Sequence, residues 1–99
     1  MNDFINITAQ RVKHKSGYEV YSAGRDFIGY DEGKTTYRIR RELGWGDICG
    51  KGIEIIYTND IYNENGTLAT FSTLEREVLI DRIVSARKFL GDFEIQISP

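Results

Sequence analysis

Residues Phe71 to Gly91 read FSTLEREVLIDRIVSARKFLG, and this stretch carries a full set of helix signals: a start, an amphipathic body and a stop. Ser72 with Glu75 three residues on forms a capping box, in which the hydroxyl accepts from the residue-75 amide and the carboxylate reaches back to the Ser72 amide. Arg87 and Lys88 stand where the helix dipole favours positive charge, and Gly91 can close the helix in a left-handed conformation. At 100° per residue, Leu79, Ile80, Ile83, Val84, Ala86 and Leu90 share one broad arc, wide enough to cover a sheet. Glu75, Asp81, Ser85 and Lys88 point elsewhere. Arg76 and Arg87 fall inside the arc, so their stems are expected along the sheet with their charged heads in water at its edge. A helix over Thr73 to Leu90 is roughly 27 Å long at 1.5 Å per residue, the length of strands of about eight residues.

The rest of the chain reads as strands. Ile5, Ile7 and Ala9 alternate with Asn6, Thr8 and Gln10 as in a half-buried strand continuing toward Val12. Lys15, Ser16 and Gly17 make a turn. Tyr18 to Ala23 and Asp26 to Tyr30 are two short strands or one strand bent at Gly24. Asp31, Glu32 and Gly33 carry turn chemistry and reverse the chain into Lys34 to Leu43. There Thr35, Tyr37 and Ile39 face one side, while Thr36, Arg38, Arg40 and Glu42 form the solvent side of an antiparallel sheet. Gly44, Gly46, Gly50 and Gly52 mark a flexible connection. Ile53 to Thr58 is apolar enough for a central strand, Asn59 to Thr67 reads as a loop, and Phe93, Ile95 and Ile97 form a final strand. The fold class is α+β: an antiparallel sheet of five or six strands packed against one C-terminal helix, followed by a short final strand.

A chain of 99 residues is one domain, 1–99, able to bury roughly 65% of its unfolded surface. Thirteen Lys and Arg against fifteen Asp and Glu give a net charge of -2, which does not attract polyanions, so nucleic acid is a poor default partner. One cysteine, Cys49, excludes an internal disulfide and suits a reducing compartment, the cytoplasm. No apolar run approaches a membrane span or a signal peptide.

Candidate chemistry is sparse. Gly46, Gly50 and Lys51 resemble the end of a phosphate loop, but Gly46 is one residue too close and Gly52 stands where a Ser or Thr is required. Cys49 as a nucleophile needs a base, and the sole His is His14. One His and one Cys cannot make a four-ligand zinc site, and no acidic twelve-residue loop suggests calcium, so neither metal nor cofactor is expected. Tyr37 to Arg41 interleaves aromatic and basic residues as a single-strand nucleic-acid platform does, although nearby acids can neutralise it. Trp45, between two glycines and near Asp47, either folds onto the core or stands out as an aromatic anchor for a partner.

The runs FIGYDEGKTTYRIRREL, GIEIIY, FSTLEREVLIDRIVSARKFL and GDFEIQI, from Phe27 to Ile97, resemble the small immunity proteins of bacterial polymorphic toxin and contact-dependent growth inhibition systems, immunity family seventy-four in particular. The resemblance implies a cytoplasmic, non-enzymatic inhibitor that binds one cognate toxin domain, often a nuclease, and blocks its active site or substrate groove. The residues themselves point to no cofactor, nucleic acid or membrane partner, and they leave monomer and homodimer open. The contacts expected for such a partner are Trp45 with Asp47 in the glycine-rich segment, Asp60, Tyr62 and Glu64 in the second loop, and Asp31 with Glu32. The other class compatible with the residues is a small non-catalytic binding domain acting as a homo-oligomer through an exposed strand edge.

Overall fold

The computed structural model describes residues 3–45, 52–91 and 94–99, with Trp45 represented by its backbone. Strands β1 (Phe4–Thr8), β2 (Arg11–His14), β3 (Glu19–Ser22), β4 (Phe27–Glu32), β5 (Thr35–Trp45) and β6 (Gly52–Asn63) follow one another as an antiparallel meander. Helix α1 (Thr73–Leu90) then carries the chain to β7 (Glu94–Ser98), which pairs with β6 in parallel. Among the described residues the α+β class and the single helix stand, but the sheet has seven strands rather than five or six, and α1 is a crossover between two of them. A parallel pairing of sequential strands requires such a connection.

The helix is the element read most accurately. Ser72 Oγ accepts from the Glu75 N–H at 3.1 Å and Glu75 Oε1 accepts from the Ser72 N–H at 3.1 Å, completing the capping box. These bonds to Ser72 hold the Glu75 carboxyl below its ordinary pKa. Gly91 departs from expectation. Its φ of -159° is extended, because the chain runs onward toward β7, and its N–H still donates to the Arg87 carbonyl at 3.3 Å.

The core lies between α1 and one sheet face. Val12, Val20, Ile28, Tyr30, Ile39, Ile56 and Ile61 meet Leu79, Ile80, Ile83 and Ala86, all of them buried. Along the same face runs an aromatic row, Phe4, Tyr18, Tyr30, Tyr37 and Phe71, with successive ring centroids 5.1 to 6.3 Å apart. The Tyr30 hydroxyl accepts from Arg82 Nη1 at 2.8 Å and donates to Glu32 at 3.0 Å. Burial raises the Tyr30 phenol to about 12.

Three readings are corrected by this packing. The strand expected to run from Ile5 toward Val12 is a hairpin that turns at Ala9 and Gln10, and it buries Val12 while leaving Ile5 and Ile7 exposed. The segment from Asn59 is not a loop: β6 continues to Asn63, and the turn is confined to 64–67, closed by Asn63 N–H to Thr67 O at 2.7 Å. Ile56 pairs near Arg41 and Ile61 pairs with Ile39, so Tyr57 to Asp60 bulge opposite Arg40. That bulge turns both Ile56 and Ile61 inward although they are five residues apart, an odd spacing that a regular strand sends to opposite faces.

The third correction concerns Arg87, whose head does not reach water. Its Nε donates to Glu54 Oε1 at 2.9 Å, while Arg41 Nη1 donates to Glu54 Oε2 at 2.8 Å, and all three residues are buried. Arg41 also donates to the Arg25 carbonyl at 3.2 Å, the Gly24 carbonyl at 2.7 Å and the Ser22 hydroxyl. Arg76 does extend outward, with Nη1 donating to Asn59 Oδ1 at 3.1 Å.

Two outcomes follow. Glu54→Ala removes the carboxylate shared by two buried guanidiniums and should cost about 3 to 5 kcal/mol in urea unfolding; a loss under about 1 kcal/mol would mean that the cluster is solvated. Because the folded-state pKa of Tyr30 is raised, its contribution to stability is fully present below about pH 10 and is lost as pH rises toward 12. Alkaline unfolding of Tyr30→Phe should therefore show a shallower fall over that window than the parent, and identical slopes would contradict the assignment.

Candidate functional site

The face of the sheet opposite α1 has no element of the described chain packed over it. Register places Arg11, Tyr21, Gly29, Arg38 and Tyr62 in one row straight across five strands. Beside them lie Phe27 opposite Arg40, and Tyr57 with Asp60 from the bulge. Alternation explains the gathering: Tyr37, Ile39 and Arg41 go to the core side, so Arg38 and Arg40 must come out on this one. The aromatic and basic residues of the Tyr37 to Arg41 run are thus split between two faces, and the rings that accompany the exposed arginines come from other strands.

Arg11, Tyr21, Phe27, Arg40, Tyr57 and Tyr62 are held in place. The Arg11 guanidinium lies 3.9 Å from the Tyr21 ring centroid, and Arg11 Nη1 donates to Glu19 at 2.8 Å. That bond raises the Arg11 pKa. The Tyr21 hydroxyl donates to Asp31 at 3.0 Å; burial first, and then this bond, raises its phenol pKa. Phe27 meets Tyr62 edge to face with centroids 6.0 Å apart. Arg40 stacks 5.0 Å over Tyr57 and sits 3.5 Å from Asp60, and the Tyr57 hydroxyl donates to Glu42 at 2.6 Å. Gly29 makes room for this arrangement, since a Cβ there would lie 2.2 Å from two atoms of the Tyr21 ring. The ring occupies the space a side chain at this position would take.

The expected contact residues are distributed as follows. Tyr62 and Asp60 are on the open face, and Asp31 joins them through Tyr21 and Arg11, 3.6 Å away. Glu32 is not with Asp31: adjacent strand residues project to opposite faces, and Glu32 pairs instead with Arg82 of α1 at 3.1 Å. Glu64 is exposed in the turn after β6. Trp45 ends β5, its backbone opposite Gly52, and its side chain, with Asp47 and Cys49, lies outside the described residues. Residues missed by the sequence reading are Arg11, Tyr21, Gly29, Phe27 and Tyr57. The signal available for them was the two-residue alternation around Val20 and Ile28, which assigns Tyr21, Gly29 and Phe27 to the face those core residues avoid.

His14, the one histidine, is stacked 4.7 Å from Tyr18 and edge-on to Phe4 at 4.9 Å, in a packing role. Among the described residues, no group of His, Cys, Asp or Glu side chains is placed to hold a metal ion, and no helix is long and apolar enough to cross a membrane. A cleft of about 370 Å³ beside Leu43, Ile53 and Arg25 is floored by Glu54 and Arg87, whose polar atoms serve the buried cluster already described.

Gly29→Ala should displace the Tyr21 ring, perturb its stacking on Arg11 and bring its phenol titration closer to that of free tyrosine, at a cost in stability of about 1 to 3 kcal/mol. Aromatic NMR resonances and an alkaline titration, assigned with Tyr21→Phe, test this. An unchanged Tyr21 environment would show that the ring does not rest on Gly29.

No protein-family model, curated protein or solved structure matches this chain.

Proposed function

We propose that this chain is a non-catalytic protein-recognition domain of the immunity type, which inhibits a cognate toxin domain in the cytoplasm by docking the open face of its sheet against it. The observation that carries the reading is the pre-arranged set of Tyr21, Phe27, Tyr57 and Tyr62 with Arg11 and Arg40 on an uncovered face, with Arg38 beside them in register. Tyrosine and arginine are the residues enriched where protein interfaces concentrate their binding energy. Rings and guanidiniums already fixed by stacking and hydrogen bonds lose less freedom on binding, which favours affinity.

A single-stranded nucleic acid would also stack on such rings. Charge argues against it. Arg11 is paired with Glu19 and lies near Asp31, Arg40 with Asp60, and the whole chain carries -2. A phosphate backbone would have to displace those carboxylates, whereas a folded protein can match alternating charges. The resemblance to immunity proteins supplies the kind of partner, with a nuclease toxin as one case. Such an inhibitor needs a rigid surface and no reacting group, so Cys49 has no role in it.

Tyr62→Ala and Arg40→Glu should each weaken binding to a toxin domain encoded beside this gene by about 2 kcal/mol or more, roughly thirtyfold, while the thermal midpoint stays near that of the parent. Titration calorimetry on the purified pair measures the first and a thermal melt the second. Unchanged affinity in both variants would remove the open face from the interface. Salt-sensitive binding of a single-stranded oligonucleotide, lost in the same variants, would instead favour the nucleic-acid reading.

A further inference from the structure

We infer that the free edge of β7, with the cleft between it and α1, takes an extended segment of a partner protein that sets an aliphatic side chain flanked by Lys or Arg in that cleft. Among the described residues β7 is the last strand of the sheet and pairs only with β6, in a register that runs unbroken from Glu94 opposite Ile53 to Ser98 opposite Tyr57. Alternate amides and carbonyls of β7 therefore face away from β6, where a further strand satisfies them. Ile97 lies opposite the buried Ile56, which puts both on the α1 side of the sheet. Yet Ile97 is 51% exposed, because a cleft of about 530 Å³ separates the helix from this edge. Thr58, Ile80 and Ile97 line its apolar part.

The walls select the occupant. Strand addition sets one residue of the incoming segment beside Ile97 on the α1 side, where its side chain enters the cleft and covers Ile97. The residues two before and two after it share that face and run along α1. That wall carries Glu77 and Asp81, one turn apart, and Arg76, whose Nη1 is turned to Asn59 at 3.1 Å. Among the described residues neither carboxylate has a cation in ion-pair range, so two carboxylates face the cleft against one guanidinium. A Lys or Arg two positions from the aliphatic residue supplies the missing charge.

A second copy of this chain fits less well. Its β7, Glu-Ile-Gln-Ile-Ser, has no cation to offer, and two-fold pairing would bring another Glu77 and Asp81 toward the first. The cleft is on the α1 side, away from the open sheet face, so this contact does not depend on what that face binds.

The probe is a capped heptapeptide, Thr-Lys-Thr-Val-Thr-Lys-Thr, in which Val and both Lys share one face; its control has Glu in place of Lys. Titrated to about 5 mM against the isotope-labelled full chain, the basic peptide should shift the amide resonances of β7 and of residues 76–81 saturably, with a dissociation constant of about 1 mM or below. The acidic control should bind about tenfold more weakly. Asp81→Lys, at an exposed position, should weaken the basic peptide about fivefold and strengthen the acidic one, and Ile97→Ser should weaken both. Melts of each variant establish folding, and Asp81→Lys decides the matter if Ile97→Ser proves unstable. No saturable shift with the basic peptide, equal binding of the two peptides, indifference to Asp81→Lys, or shifts confined to the open face around Tyr21 and Tyr62 would each overturn the inference.

Discussion

Glu54 sits at the point where the layers of this molecule are joined. Its two oxygens are taken by Arg41 of β5 and Arg87 of α1, and Arg41 continues to the carbonyls of Gly24 and Arg25 between β3 and β4. One carboxylate thus links two neighbouring strands, a turn two strands away and the helix. Transferring these three charges from water costs several kcal/mol per ion, and the hydrogen bonds must recover it, so the cluster is weak evidence for high stability. Its geometric consequence is firmer. Hydrophobic contacts alone would tolerate α1 rotated or slid along the apolar face, whereas the directional bond from Arg87 Nε to the buried Glu54 ties the helix to one register, the one in which Ile83 and Ala86 enter the core.

A second constraint comes from β6. Its length exceeds that of a typical strand, and a regular twelve-residue run would send Ile56 and Ile61 to different faces. The bulge at Tyr57 to Asp60 changes parity between them, keeping both in the core and placing Tyr57 and Asp60 around Arg40. One irregularity therefore serves two layers: it completes the apolar face under the helix and builds part of the polar face opposite. Bulges bend and twist a strand locally, which also lets a long strand follow a curved sheet.

What was legible in the sequence follows from this. The bounds of the helix could be read to the residue, because its capping box and apolar arc are local signals, whereas its last turn was redirected by packing: Gly91 is extended and Arg87 is drawn onto Glu54. The hairpin around Gly33 was equally local, with φ at +61° where a left-handed residue was needed. Two kinds of information were out of reach. Asn59 and Asp60 have loop chemistry, and nothing nearby says that Ile61 will pair with Ile39, more than twenty positions earlier. Arg87 on an apolar arc reads as a snorkelling side chain unless its partner is known, and that partner, Glu54, looked like an ordinary polar position in an apolar strand.

The candidate site was partly legible for a related reason. Searching for function in loops is sound when a rigid scaffold carries its chemistry at its ends, but a one-sided sheet exposes an entire face instead. On such a face, nearness in sequence is misleading, as Asp31 and Glu32 show by lying on opposite sides of the sheet. Nearness in register is what counts: Arg11, Tyr21, Gly29, Arg38 and Tyr62 are spread over half of the chain yet form one row. Gly29 is the position where this matters most. A side chain there would fill the middle of the row; its absence leaves room for the Tyr21 ring to meet Arg11 and reach Asp31, so that the chemistry of the face depends on a residue that contributes no functional group.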